Sequence, residues 1–148
     1  MRISLCFLAL SFLALSLKAE KKIIVPAEFA PAAGANAPMF SPGILVDGTL
    51  YISGQLGTDL KTQQIPAEFE QEVKASLANI GIILKAAGMG YEDVVSVQVY
   101  LSDMDLFPRM NAVYSGVFKA PRPTRSTVGV SKLARPNARI EITVTAHK

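Results

Sequence analysis

The amino-acid sequence predicts an α+β two-layer sandwich, a mixed β-sheet with two helices packed on one face. Three observations predict it. Apolar residues Phe69, Val73, Leu77, Ile80 and Leu84 recur at steps of three and four, the period of one buried helical stripe. Ile140, Ile142 and Val144 alternate with Glu141, Thr143 and Thr145, the period of a strand with two unlike faces. The elements follow one another as β-β-α-β-α-β-β, an order that places both helices on one side of a single sheet.

Residues 30–38 are rich in Ala, Gly and Pro and read as an irregular lead-in. Residues 44–46 and 49–53 are β-rich runs separated by Asp47-Gly48, a strong hairpin signal because a tight I′ turn needs positive φ at both central positions. After a polar connection over 58–64, a helix begins at Ile65-Pro66, shows its apolar stripe from Glu68 onward and ends at Gly88, the residue type favoured just past a helix end. The β-branched run 94–101 predicts a central strand with Ser96 and Gln98 on a common face. Asp103 and Asp105 offer N-caps for a second helix. Pro108 is tolerated in its first turn, and Phe107, Met110, Tyr114 and Val117 stand at helical spacing until Pro121 and Pro123 close it. Strands over 125–130 and 139–145 follow, separated by a turn at 132–137. Ser96, Gln98 and Glu141 then share the sheet face away from the helices, a polar face suited to packing between subunits.

Composition limits the chemistry. The chain has 148 residues, 50% hydrophobic and 18% charged, enough for one globular domain and too apolar for a disordered chain. Its one Cys (Cys6) and one His (His147) cannot supply a zinc, iron–sulfur or disulfide framework, so no metal site is expected. His147 is the penultimate residue, an unpromising place for a His-dependent nucleophile. Gly54 and Gly57 lack the spacing of a phosphate loop, and no nucleotide cofactor is expected.

Residues 1–19 read as a secretory signal peptide, with Arg2 ahead of an apolar run shorter than a membrane span, and residues 20–148 as the mature domain. Cleavage after Ala19 leaves a secreted or periplasmic protein without a thiol and without a membrane anchor. The net charge of +3 then falls to +1, with 13 basic and 12 acidic residues from Glu20 onward. Arg122, Arg125, Arg135 and Arg139 cluster late in the chain without interleaved aromatic residues. That favours a solvated face or a small-anion site over nucleic acid.

The remaining candidates sit at strand and helix ends. Arg125 follows the stiff turn Pro121-Arg122-Pro123-Thr124 and either takes a carboxylate in its planar fork or joins a surface ion pair. Glu141 is a general acid or base, or an interface ion-pair partner. Gly54 marks a bulge or a close backbone approach to a ligand, and Asn111 a helix-surface residue or a ligand contact.

These residues carry a resemblance. Ser53-Gly54-Gln55, Ser76-Leu77-Ala78-Asn79-Ile80, Ala87-Gly88, Asp93-Val94-Val95, Met110-Asn111-Ala112-Val113-Tyr114, Pro123-Thr124-Arg125-Ser126 and Ile140-Glu141-Ile142 resemble, in order, the reactive intermediate deaminase (RidA/YjgF) family. The resemblance implies a chorismate-mutase-like fold, a homotrimer with ligand sites between subunits, and cofactor-free hydrolysis of enamines and imines of the 2-aminoacrylate type to 2-keto acids and ammonia. It implies that Arg125 clamps the substrate carboxylate and Glu141 handles protons, with Gly54, Thr127 and Asn111 helping to hold the ligand. Phe40 stands where the archetype has a site-lining Tyr, Thr127 where it has a Cys, and the connection from Tyr114 to Pro123 is shortened. The lost phenol and the leader leave a second possibility, a non-catalytic small-carboxylate binding protein of the same fold in the periplasm. Ribonuclease activity, attributed to some relatives, fits poorly with a nearly neutral mature chain that has no His pair.

Overall fold

The computed structural model describes residues 20–30 and 39–148, so the predicted signal peptide, Cys6 and most of the lead-in lie outside the described residues. Strands β1 (Lys22–Ile24), β2 (Gly43–Val46) and β3 (Thr49–Leu56) precede helix α1 (Phe69–Ala86). Then come β4 (Val94–Leu101), α2 (Phe107–Val117), β5 (Thr124–Gly129) and β6 (Ile140–His147). One six-stranded sheet has the order β1-β2-β3-β6-β4-β5, antiparallel except for the parallel β4–β5 pair that α2 connects. The mixed sheet with two helices agrees with the sandwich read from the sequence.

The β2–β3 turn has positive φ at both Asp47 (47°) and Gly48 (72°), as Asp-Gly predicts. Helix α1 runs from its N-cap Glu68 to Ala87, and Gly88 (φ 73°) follows in the left-handed region. Several boundaries differ from expectation: α1 starts at Phe69, one helical turn past Ile65-Pro66, and β3 runs on through its bulge to Leu56 where the β-rich run ends at residue 53. β1 is an extra edge strand, too short for its period to register in sequence, and its backbone is satisfied by pairing with β2. β6 continues to His147, which shares a 3.1 Å hydrogen bond with Thr49 Oγ1, so the chain end is tied down by β3 instead of fraying. Asp103 caps a short 3-10 turn through the Asp105 amide, while Asp105 caps nothing and α2 starts at Phe107.

The core lies between the sheet and the helices. Leu50, Ile52, Val97, Val99, Ile140, Ile142 and Val144 meet Phe69, Val73, Leu77, Ile80 and Leu84 of α1 and Met110 and Tyr114 of α2. Three polar residues share the buried side of α1, and each closes backbone groups of the sheet. β3 bulges at Ser53-Gly54, where its register with β6 shifts between Ile52 and Gln55. Ser76 Oγ donates to the Gln55 carbonyl (2.8 Å), and Asn79 Nδ2 donates to those of Leu56 (3.3 Å) and Thr58 (3.0 Å). Glu72, 0% exposed, accepts from the amides of Arg139 (2.7 Å) and Ile140 (3.2 Å) and from Arg139 Nε (2.7 Å), anchoring the start of β6.

On the surface, Arg109 of α2 donates twice to Glu70 of α1, both at 2.7 Å. The guanidinium holds the Glu70 carboxyl at about 2, well below its ordinary 4.5. A carboxylate with a depressed folded-state pKa contributes stability that is present above about pH 4.5 and lost as pH falls through about 2. Thermal melts in that window should therefore show a smaller acid-induced drop for Arg109→Gln than for wild type. Equal drops would show that the pair contributes nothing.

Candidate active site

The alternation of β4 and β5 sorts the candidate residues onto two faces. Val97 and Val99 of β4 point to the helices and are paired in register with Arg125 and Thr127 of β5. Arg125 and Thr127 therefore face α2. Tyr100 points the other way and is paired with Glu141 of β6, which shares the outer face with Thr143 and Thr145 as the sequence alternation predicts.

On the helix side, Arg125 and Asn111 line one cavity of about 420 Å³ together with Tyr114, Ser115, Arg122 and Pro123. The Arg125 guanidinium lies 4.5 Å from the centroid of the Tyr114 ring and 5.6 Å from that of Phe107. Aromatic faces attract a guanidinium without using its N–H groups, so this bracket orients Arg125 and leaves its donors for an anion. Among the described residues, Arg125 has no ion pair. Tyr114 is itself held at 4.5 Å from Phe118, and its buried hydroxyl has no hydrogen-bond partner. Burial pushes the Tyr114 phenol above its ordinary value of 10, with Arg125 and Arg122 opposing the shift. Thr127, the next residue of β5 on the same face, also has a buried hydroxyl without a partner. Two buried hydroxyls without partners, on the face that carries the unpaired Arg125, mark this edge of the sandwich as polar and unsatisfied.

On the outer face, Glu141 lies against Gly54. A Cβ at Gly54 would overlap the Glu141 carboxylate, so glycine at the bulge makes room for the acid. The bulge is held from both sides, by Ser53 Oγ donating to the Ser41 carbonyl (2.7 Å) and by Gln55 Nε2 donating to the Ser53 carbonyl (2.8 Å). Glu141 also borders a shallow depression of about 300 Å³ with Tyr100, Lys132 and Thr143. Of the two readings open for Gly54 in the sequence, a bulge or a close approach to a ligand, the structure shows the bulge, and the close contact it shows there is with Glu141.

The fold thus gathers the predicted residues in two groups: Arg125, Asn111 and Thr127 by α2, and Gly54 with Glu141 on the outer face. Arg125 and Glu141 line different cavities on opposite sides of the sheet. Phe40 joins neither cavity and is 63% exposed beside Met39, just ahead of β2. Tyr114 and Phe107 appear in the sequence only as apolar positions of a helix, and their role as a bracket for Arg125 has no linear signature. Glu72 did leave a signal, a carboxylate three residues after Phe69 on the buried side of the helix, where a charged group needs a partner.

Comparison with known proteins identifies the family and agrees with the fold. The profile of the Endoribonuclease L-PSP family matches residues 30–148. A 2-iminobutanoate/2-iminopropanoate deaminase of Bos taurus is 40% identical over 127 residues, covering 85% of this chain and 89% of the relative. The crystal structure of RidA from the Antarctic bacterium Psychrobacter sp. PAMC 21119 superposes with a TM-score of 0.76 at 31% identity, covering 86% of this chain and 100% of that one. E. coli TdcF with bound serine gives 0.76 at 32% identity, covering 86% and 99%. With a family profile spanning both faces of the sheet and a relative this similar along most of its length, the chain belongs to the Endoribonuclease L-PSP family, the RidA/YjgF proteins.

Proposed function

We propose that this protein hydrolyses 2-imino acids, and the enamines from which they form, to 2-keto acids and ammonia without a cofactor. The observation that carries the reading is Arg125, an unpaired guanidinium fixed between aromatic rings in a cavity it shares with Asn111. Similarity to deaminases named for 2-iminobutanoate and 2-iminopropanoate supports the same chemistry.

Arg125 binds the substrate carboxylate, Asn111 and Thr127 orient the ligand, and Glu141 serves the reacting carbon. Water adds through its oxygen to the C=N carbon, and Glu141 passes one water proton to the nitrogen. The resulting carbinolamine loses its hydroxyl proton to the nitrogen by the same relay, the C–N bond breaks, and the 2-keto acid and ammonia leave. Glu141 ends as it began. Holding the reactants together supplies the proximity that free hydrolysis in water lacks.

Because Arg125 and Glu141 face opposite sides of the sheet, the site we propose is completed between copies of the chain. Arg125, Asn111 and Thr127 of one copy meet Gly54 and Glu141 of the partner subunit. A closed homotrimer is the assembly that fits. It also covers Tyr51, Val95 and Val128, apolar side chains that are 53%, 47% and 46% exposed in the isolated chain. The apolar leader over 1–19 fits export to a secreted or periplasmic location, so the mature chain from Glu20 is the form to assay.

The test generates imines with an amino-acid oxidase and traps the free imine with semicarbazide. Wild type should suppress trapping, and Glu141→Gln should lower kcat/KM about tenfold, at the weak end of proton-transfer effects because the uncatalysed hydrolysis is already fast. Failure of wild type to shorten imine lifetimes would overturn the deaminase reading. Exposed Phe40, which brings no hydroxyl toward a ligand, favours the second reading of a small-carboxylate binder. Calorimetry detecting 2-keto acid binding without turnover would establish that reading.

A further inference from the structure

The cavity lined by Arg125 is lined by a second arginine, the exposed Arg122, whose charge also acts on the Tyr114 hydroxyl. The other arginines among the described residues are committed elsewhere. Arg109 pairs with Glu70, Arg139 with Glu72, and Arg135 donates to the Gln63 carbonyl at 3.2 Å. Arg122 and Arg125 have neither an ion pair nor a hydrogen bond among the described residues, and no carboxylate lines their cavity. Two uncompensated cations in one recess repel each other, and a ligand with two anionic groups relieves that repulsion where a single carboxylate relieves half of it. The prolines on either side of Arg122 restrict the backbone that presents it, so chiefly its side chain is ordered on binding. Tyr114, 5% exposed with its hydroxyl unpartnered, adds a third polar group to the same lining. The cavity, at about 420 Å³, is of small-molecule size.

We propose that Arg122 is a specificity-determining residue that binds a second carboxylate, so that this protein prefers 2-imino dicarboxylic acids, the imines of acidic amino acids, over monocarboxylic ones. The inference rests on the carboxylate-binding role given to Arg125 and names the substrate class of that site.

The experiment compares imines generated from glutamate and from 2-aminobutyrate, measured as a ratio of kcat/KM values, for wild type, Arg122→Gln and Lys85→Gln. Lys85→Gln removes the same charge from the exposed last turn of α1, outside the cavity. The dicarboxylate-to-monocarboxylate ratio should fall about tenfold in Arg122→Gln, the loss of one partly exposed charge-assisted contact, and stay constant in Lys85→Gln. Calorimetry with 2-oxoglutarate and 2-oxobutanoate gives the same comparison as a ratio of Kd values. If no imine is turned over, the deaminase reading fails alone and the binding ratio decides this one. A ratio within about twofold of wild type in Arg122→Gln, an equal loss for both ligands, or no binding of either keto acid would overturn it.

Discussion

Arg125→Ala should lower kcat/KM for 2-iminobutanoate about a hundredfold, the largest effect on activity expected from one substitution in this chain. A hydrogen bond to a charged partner contributes about 1.5–3 kcal/mol, and each 1.4 kcal/mol is about tenfold. A bidentate clamp reaches the upper part of that range, and losing it also frees the substrate to turn away from the attacking water. Arg125→Lys separates the two contributions. It keeps the charge but loses the planar fork that the Tyr114 and Phe107 rings hold, so it should recover only part of the activity. Because Arg125 packs on those rings, its removal also costs about 1 kcal/mol of cation–π stabilisation, a loss too small to unfold the domain. Circular dichroism and a thermal melt on the same sample separate folding from function. Activity of Arg125→Ala within about threefold of wild type would remove Arg125 from the site.

Glu72→Ala should be the most destabilising of the substitutions considered, by about 3 kcal/mol or a fall in Tm of about 10 °C. The carboxylate is 0% exposed and accepts from two amides at the start of β6 and from Arg139 Nε. Alanine leaves both amides unpaired, and the amide of Ile140 belongs to a fully buried residue. Arg139 suffers less, since it keeps a 2.9 Å hydrogen bond to the Pro66 carbonyl and is about one-third exposed. Glu72→Gln retains an acceptor and should fall between wild type and alanine. Urea denaturation of the three proteins checks the order, and an alanine variant within about 1 kcal/mol of wild type would show that water replaces the lost bonds. The anchored amides immediately precede Glu141, so the same contact that secures the fold also fixes where the candidate proton relay begins.

How much of the site could be seen in the sequence follows from what carries each signal. The Ile140–Val144 alternation places Glu141 on the face away from the aliphatics, because a strand's period of two leaves no other choice. Gly88 and Asp47-Gly48 mark a helix end and a turn through backbone conformations that few other residues adopt. In the sequence Arg122 is one of four clustered arginines that suit a solvated face or a small-anion site. Only folding separates Arg139, tied to Glu72, and Arg135, tied to Gln63, from the two that are left unpaired in one cavity. The bracket of Tyr114 and Phe107 around Arg125 joins α2 to β5 across the turn between them, a contact that helical spacing does not encode.

Apart from the short edge strand β1, the element types, the turn chemistry and the faces of the strands are legible in the sequence, and its ordered resemblance gives the family. These are local: they depend on periods of two and 3.6 residues and on the allowed φ of single positions. Strand order, the partner of each charged group, and the separation of Arg125 from Glu141 by the thickness of a sheet were decided only by the tertiary structure. β6 enters between β3 and β4, although it is last in the chain. That insertion brings Arg139, immediately before β6, to Glu72 of α1, 67 positions away in the chain, while the packing of α2 on α1 brings Arg109 to Glu70.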